Sequence, residues 1–172
     1  MKHSNAPKTG FDRLRLLDEQ KFDIRIANDG RWFHEGDEIR RIEMVKLFAS
    51  VLMRDKTGDY WLATPAEKGR ITVDDAPFVI CEMLVSSGVD PQSNVIHFRT
   101  NLDEIVALDA SHPILLRSVD DLGNFRPYIE VRNGLEAKLS RPVYYQLAEH
   151  VKKGPDGRLG VWSHKQHFAL EL

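Results

Sequence analysis

One run of elements occurs twice in this sequence, and that repetition constrains the fold more than any other feature. The first copy reads Trp32-Phe33-His34-Glu35-Gly36-Asp37-Glu38, a helical stretch, then Lys56-Thr57-Gly58-Asp59-Tyr60-Trp61-Leu62. The second reads Val131-Arg132-Asn133-Gly134-Leu135-Glu136, a helical stretch, then Pro155-Asp156-Gly157-Arg158-Leu159-Gly160-Val161, at an offset of 98 to 99 residues. Each runs strand, tight turn, strand, helix, glycine turn, strand, strand. Residue identity between the copies is low, so the repeat lies in the pattern of apolar, turn and helix-forming residues. A duplicated ββαββ unit follows from it. The alternative is two unrelated helices bordered by ordinary hairpins.

The two helical stretches differ in character. Residues 41–53 place Ile42, Val45, Leu47, Phe48, Ala49 and Leu52 on one broad apolar face. Residues 141–151 have Ser140 as N-cap and Pro142 in the first turn; Lys152 and Lys153 suit the C-terminus before Gly154-Pro155. A shorter helix is expected over residues 11–20, from Phe11, Leu14 and Leu17. Alternating apolar residues give strands at 22–27, 31–34, 60–63 and 70–73 in the first half. The second half reads as strands at 78–85, 95–100, 105–108, 113–119, 127–132, 135–139, 158–162 and 167–172. Asn28-Asp29-Gly30 and Asn133-Gly134 are hairpin turns. Glu35-Gly36-Asp37-Glu38 is a further tight turn. The expected class is α+β: two related ββαββ halves packed together, with mainly antiparallel sheets. An N-terminal segment (1–20) precedes the halves, 21–76 and 77–172.

The chain has 172 residues, 42% of them hydrophobic and 29% charged, as in a folded module with one core or two small ones. A net charge of -2 gives no basic field of the kind that holds duplex nucleic acid. The lone Cys81, in an apolar run, forbids an internal disulfide and reads as a buried structural thiol. No apolar run has the length of a membrane span, and the first ten residues lack a signal-peptide core. A cytoplasmic protein without membrane insertion is expected.

Several blocks then carry a family resemblance. They are Trp32-Phe33-His34-Glu35-Gly36, Lys46-Leu47-Phe48-Ala49-Ser50-Val51-Leu52, and Tyr60-Trp61-Leu62-Ala63-Thr64-Pro65 with Glu67-Lys68-Gly69-Arg70-Ile71. Further along come Asp74-Asp75-Ala76-Pro77-Phe78, Phe98-Arg99-Thr100-Asn101, Asp109-Ala110-Ser111-His112-Pro113, and Arg132-Asn133-Gly134-Leu135-Glu136-Ala137 with Arg141-Pro142-Val143-Tyr144-Tyr145. In their order the chain resembles a bacterial family, the domain of unknown function 1285 family. The resemblance implies an α+β fold with a duplicated motif and a C-terminal half loosely like pleckstrin-homology domains. It also implies a binding site between the halves, a nucleotide-derived ligand and a role in signalling. It implies no established activity.

The candidate site centres on Glu67, Lys68 and Arg70, with Arg99, Asn101, His112 and Arg132. Lys68 and Arg70 stand at i and i+2, on one face of a strand, and Arg99 and Asn101 repeat that spacing. Arginine suits forked recognition of phosphate, lysine offers a point charge, and asparagine can read a base edge. Such a set makes an anion pocket with amide readout. The same residues equally make a salt-bridge network with Glu67, Asp74, Asp75 and Asp109. Trp61 and Phe78 flank the charged stretch as candidates for stacking on a base, although most aromatics are core.

Catalytic signatures are absent: there is no GxSxG, HExxH, GxxxxGK[ST] or GxGxxG. His164 and His167 form an HxxH with no third ligand nearby in sequence, so neither a metal nor a cofactor is expected. Three functions remain, in order. The first is a ligand-sensing module that binds an anionic, nucleotide-derived small molecule between its halves. The second is a scaffold that engages a protein partner at a sheet edge. The third is an enzyme acting on phosphate esters. Oligomeric state is not legible.

Overall fold

The computed structural model describes residues 19–170, which form mostly β-structure with two helices. The short helix expected from Phe11, Leu14 and Leu17 lies outside the described residues, and Glu19 and Gln20 already belong to a strand. The chain divides into two compact units. One contains the described part of Met1–Ala27 with Arg31–Asp74; the other contains Asn28–Gly30 with Asp75–Leu172. No helix among the described residues is long and apolar enough to cross a membrane.

In the first unit the order is β1 (Glu19–Ile26), β2 (Trp32–His34), β3 (Asp37–Glu38), α1 (Ile42–Ser50), β4 (Leu52–Arg54), β5 (Tyr60–Ala63) and β6 (Lys68–Val73). They form one sheet in the order β3-β2-β1-β6-β5-β4. The meanders β1-β2-β3 and β4-β5-β6 are each antiparallel, and β1 joins β6 in parallel. Ile24 and Ile26 bury one face of β1 while Asp23 and Arg25 stay exposed on the other. Trp32 is buried and stacks on Phe48 of α1 at 6.3 Å. Its Nε1 is the one buried side-chain polar atom without a partner among the described residues.

Two local expectations change. Asp37 and Glu38 form a strand, because Glu35 and Gly36 alone make the turn, with φ of +50° and +87°. The helix stops at Ser50 rather than Met53. Val51 leaves helical geometry, its carbonyl accepts from the Ala63 N–H at 3.0 Å, and Leu52 pairs with Leu62 across the sheet. Leu52 is buried either way, so its place in the apolar pattern did not distinguish helix from strand.

The second unit contains β7 (Phe78–Ser86), a 3-10 turn at Pro91–Ser93, β8 (Val95–Thr100), β9 (Ile105–Ala107), β10 (Ile114–Ser118), β11 (Phe125–Arg132) and β12 (Leu135–Leu139). Then follow α2 (Arg141–Ala148), β13 (Lys152–Lys153), β14 (Leu159–Ser163) and β15 (Gln166–Ala169). The large sheet runs β10-β11-β12-β7-β8-β9, and β13-β14-β15 make a separate one. Again two antiparallel meanders are joined by one parallel pair, β7 with β12. The two six-stranded sheets therefore share one strand order and are mixed rather than wholly antiparallel. Ile80, Met83, Ile96, Phe98, Ile129, Ala137 and Leu139 are buried, as are Val143 and Leu147 of α2.

The repeat thus has two phases. The element order ββαββ recurs as β2-β3-α1-β4-β5 and β11-β12-α2-β13-β14. Sheet topology instead matches β1–β6 with β7–β12. In the first unit α1 links the two meanders; in the second that link has no helix, and α2 follows the last strand. Sequence patterns register local order, whereas strand pairing is non-local.

Three further corrections fall in this unit. Lys152 and Lys153 are not a helix end but pair with Gly160 and Leu159. Ser140 occupies the N-cap position of α2 without a side-chain capping bond. Cys81 is exposed rather than buried: it continues the alternation of the buried Phe78 and Ile80, and the register shift before Glu82 then returns Met83 to the core.

The Asn28–Gly30 turn packs within this unit. Gly30 has φ +86°, and a Cβ there would lie 2.8 Å from Asn101 Nδ2 and 3.0 Å from Val79 Cγ2, so the turn needs glycine. Asn101 bridges the two segments, accepting the Val79 N–H at 3.0 Å and donating to the Gly30 carbonyl at 3.3 Å. Lys138 Nζ donates to the Asn28 carbonyl and side-chain oxygens.

Candidate functional site

Strand β6 carries the densest group of candidate residues. Gly69 and Ile71 point into the core, so Lys68 and Arg70 project from the other face, as their spacing predicts. Arg70 lies opposite Trp61 in the β5–β6 register. Both cations sit over that indole, Lys68 Nζ at 5.1 Å and Arg70 Cζ at 5.0 Å from the ring centre. Trp61 is only 8% exposed, so it serves as a platform for the two cations rather than as an open stacking surface. Glu67 is exposed in the turn before β6, where its main chain bonds to Thr64.

Asp55 fixes the indole. Its Oδ2 accepts from Trp61 Nε1 at 2.8 Å, and its Oδ1 accepts from the Thr57 N–H, the Thr57 hydroxyl and the Asp59 N–H. Desolvation pushes this carboxyl up, but the hydrogen bonds from Thr57, Trp61 and Asp59 outweigh it and lower the pKa to about 2. A depressed carboxylate contributes stability above its unfolded pKa, near 3.9, and loses it as pH falls through the folded value. Asp55→Asn is therefore expected to be less stable than the parent at pH 7, with the gap closing between about pH 4 and pH 2. Urea midpoints in a pH series test this; a gap unchanged at pH 2 would show that Asp55 does not act through its charge.

The ion pairs on β6 differ in exposure: both partners of the Arg70 pair are open to solvent, whereas the Lys68 side chain is only 13% exposed. Lys68 meets Glu19 at 3.3 Å and Arg70 meets Asp59 at 3.3 Å, with the carboxylate side chains 63% and 42% exposed. An exposed pair such as Arg70 with Asp59 contributes little, about 0–1 kcal/mol.

In the second unit Arg99 lies on β8, but Asn101 follows the strand in a turn, so the spacing does not set the two on one strand face. Arg99 donates to Glu82 at 2.6 Å and to Asp103 at 3.0 Å. Arg132 donates to Glu104 at 3.0 Å and lies 5.5 Å over the Phe78 ring, which is fully buried. His112 Nδ1 sits 3.2 Å from Asp109 Oδ1, which also accepts the Ser111 and His112 N–H groups. Each candidate cation thus has a carboxylate beside it. Most of these carboxylates (Glu19, Asp59, Glu82, Asp103, Glu104) are not those the sequence nominates. Asp109 does meet His112, while Asp74 pairs with Arg25 at 2.5 Å.

Sequence reasoning named Asp75 as an ion-pairing carboxylate but missed its partners. That carboxylate accepts from Tyr128 Oη at 2.6 Å and from Arg126 at 3.1 Å, with Lys138 Nζ at 3.3 Å. The available signal was parity: Arg126 and Tyr128 alternate on β11, and Tyr128 pairs with Lys138 on β12. Among the described residues no group of three or more His, Cys, Asp or Glu could hold a metal ion. His164 lies in a turn with φ +52°, and His167 packs edge-on against Trp162 at 5.2 Å.

Family models place these features. The domain of unknown function DUF1285, N-terminal domain, matches residues 17–76, and the protein of unknown function DUF1285, C-terminal domain, matches residues 77–170. A crystal structure of a DUF1285 family protein from Silicibacter pomeroyi DSS-3 is 34% identical, with a TM-score of 0.81, covering 99% of this chain and 90% of that one. Another, from Shewanella baltica OS155, is 28% identical with a TM-score of 0.57, covering 74% of this chain and 91% of that one. No curated protein matches the chain.

Proposed function

This chain belongs to the DUF1285 family, and we propose that it acts as a ligand-binding module in signalling, taking up an anionic, nucleotide-derived small molecule. The observation that carries this reading is that Lys68 and Arg70, on one face of β6, both approach the Trp61 ring. One indole contacts a point charge and a forked donor from the same strand, so little side-chain freedom is lost when a phosphate arrives. Their present partners, Glu19 and Asp59, are exposed carboxylates at 3.3 Å, weak enough to be exchanged for a ligand phosphate. The carboxyl groups with displaced pKa values, Asp55, Asp75, Asp90, Asp109, Asp120 and Asp156, all move down, away from the neutral range that suits a general acid or base. Binding without turnover is the simpler reading. A cytoplasmic setting, a protein partner that reads the bound state and a pleckstrin-like C-terminal unit complete the proposal. The lone cysteine supports the first, and the helix α2 packed on a six-stranded sheet supports the last.

A thermal-shift screen against nucleotides, cyclic dinucleotides, dinucleotide cofactors and nucleotide sugars tests the proposal. A ligand at 100 times its dissociation constant adds about 2.7 kcal/mol, which raises the midpoint by about 5–10 °C for a chain of this size. That shift should vanish in Arg70→Glu, whose parent side chain is half exposed and replaceable without loss of the fold. Silence across the panel would sink the proposal, and normal binding by Arg70→Glu would sink the assignment to β6.

A further inference from the structure

The second unit contains a groove of about 580 Å³, a volume within the range of about 300–1,000 Å³ that accommodates small molecules. Two short segments line it: the start of β11 with the turn before it, and the end of β12 with the first turns of α2. Pro127 and Leu139 give it buried apolar lining. Val119, Phe125, Tyr144 and Tyr145 are instead exposed, Tyr145 to 62%. Large apolar groups left exposed together in one depression mark a binding site far more often than isolated ones do.

The charge in the groove has one sign. Arg126, Lys138 and Arg141 line it, and no carboxylate does. Asp75 engages the first two, accepting from Arg126 at 3.1 Å with Lys138 Nζ at 3.3 Å. Asp120, next to Val119 in the chain, is turned into its own hairpin, where it accepts the Leu122 and Asn124 N–H groups. Arg141 is exposed and has no ion pair among the described residues. The hydroxyl of Ser140, which also lines the groove, makes no capping bond and has no other partner among them. One unengaged guanidinium therefore shares the groove with three aromatic rings. Its forked donors match the two oxygens of a single carboxylate.

We propose that this groove binds a small aromatic carboxylate. The ring lies against Phe125, Tyr144 and Tyr145, and the carboxylate accepts from Arg141 and from the Ser140 hydroxyl. Arg126 and Lys138 stay with Asp75 and add attraction at longer range. With two of the three cations already engaged, a monoanion suits the site better than a phosphate dianion. The chain's own first residues are the wrong occupant, since Lys2, Lys8, Arg13 and Arg15 outnumber Asp12 and Asp18 and would set cations against cations. The inference is independent of the ligand proposed for β6.

Ligand-observed NMR on the full chain tests it. The probes are naphthoate and indole acetate, with naphthamide as the uncharged control, octanoate as the ringless one, naphthyl phosphate as the dianion and a short Asp/Glu peptide as the polymeric acid. Both aromatic carboxylates should bind with a dissociation constant of about 1 mM or tighter, and naphthamide and octanoate at least about tenfold more weakly. Arg141→Glu should weaken naphthoate at least about tenfold, and Tyr145→Ala at least about threefold. Arg70→Glu should bind naphthoate like the parent, which separates this groove from the site on β6. Glutamate is favourable at the start of a helix and Tyr145 is exposed, so both groove variants should fold. No binding by either carboxylate, equal binding of naphthamide, or affinity indifferent to both Arg141→Glu and Tyr145→Ala would overturn the inference. So would a preference of about tenfold or more for octanoate, naphthyl phosphate or the acidic peptide, since the groove would then serve a different class of ligand.

Discussion

Gly160→Ala is expected to lower the melting temperature by about 6–12 °C, corresponding to about 3 kcal/mol for a chain of this size. Gly160 lies in β14 and pairs with Ala169 of β15 on one side and Lys152 of β13 on the other. A Cβ there would stand 2.1 Å from the Phe168 carbonyl oxygen, 2.7 Å from His167 Cε1 and 2.8 Å from the Ala169 Cα. Two of those three atoms are backbone, so no rotamer change relieves the overlap. Strand β15 has to move, and Phe168, which is buried, moves with it. Overpacking usually costs about 1–3 kcal/mol, and a backbone clash belongs at the top of that range or beyond. Gly154→Ala provides the contrast. The three atoms nearest its added Cβ, the first at 2.3 Å, all belong to the side-chain ring of His167, which can swing at the expense of its contacts with Trp162 and the Lys152 carbonyl. Thermal unfolding followed by circular dichroism should therefore rank Gly160→Ala well below Gly154→Ala. A Gly160→Ala midpoint within about 2 °C of the parent would mean that β14 and β15 do not pair in this register.

What the sequence made legible follows the range of the interactions. The hairpin of β5 with β6 and the Asn133-Gly134 turn, with φ of +49° and +75°, depend on neighbouring residues and were readable. So was the shared face of Lys68 and Arg70, since strand parity alone sets it. The partners of those cations were not readable. Glu19 reaches Lys68 because β1 and β6 pair in parallel with Glu19 opposite Lys68, across 49 residues of chain. Glu82 faces Arg99 only because the register of β7 shifts at Cys81, a bulge that no residue pattern announced. The fate of Lys152 and Lys153 turned on a similar point: two lysines suit a helix end, but the return of Leu159 and Gly160 recruits them into a sheet. Parity is written in the chain, whereas the partner across a parallel pair is set by the whole sheet.

Asp75→Ala is expected to destabilise the protein by about 3 kcal/mol at pH 7. The carboxylate and the Lys138 side chain are only 16% and 15% exposed, and three donors converge on it: Tyr128, Arg126 and Lys138. Removing it takes the acceptor from the Tyr128 hydroxyl, and it leaves Lys138 with only the neutral oxygens of Asn28 to meet its charge. Arg126 is 41% exposed and can turn to water, which keeps the loss near the lower end for a broken buried pair. The pH dependence has a definite sign. Burial pushes the Asp75 carboxyl up, but the Tyr128 hydrogen bond and the charges of Lys138 and Arg126 override it, so its pKa is lowered. A lowered carboxylate stabilises the fold above its unfolded pKa, near 3.9, and ceases to do so as pH falls through the folded value. The difference between parent and Asp75→Ala should thus hold steady from pH 7 to about pH 5 and shrink below about pH 4. Urea denaturation across that series decides it. A difference below about 1 kcal/mol at pH 7 would mean that the three donors are satisfied without Asp75. A difference that grows on acidification would contradict a lowered pKa, since only a carboxyl that binds its proton more tightly when folded behaves that way.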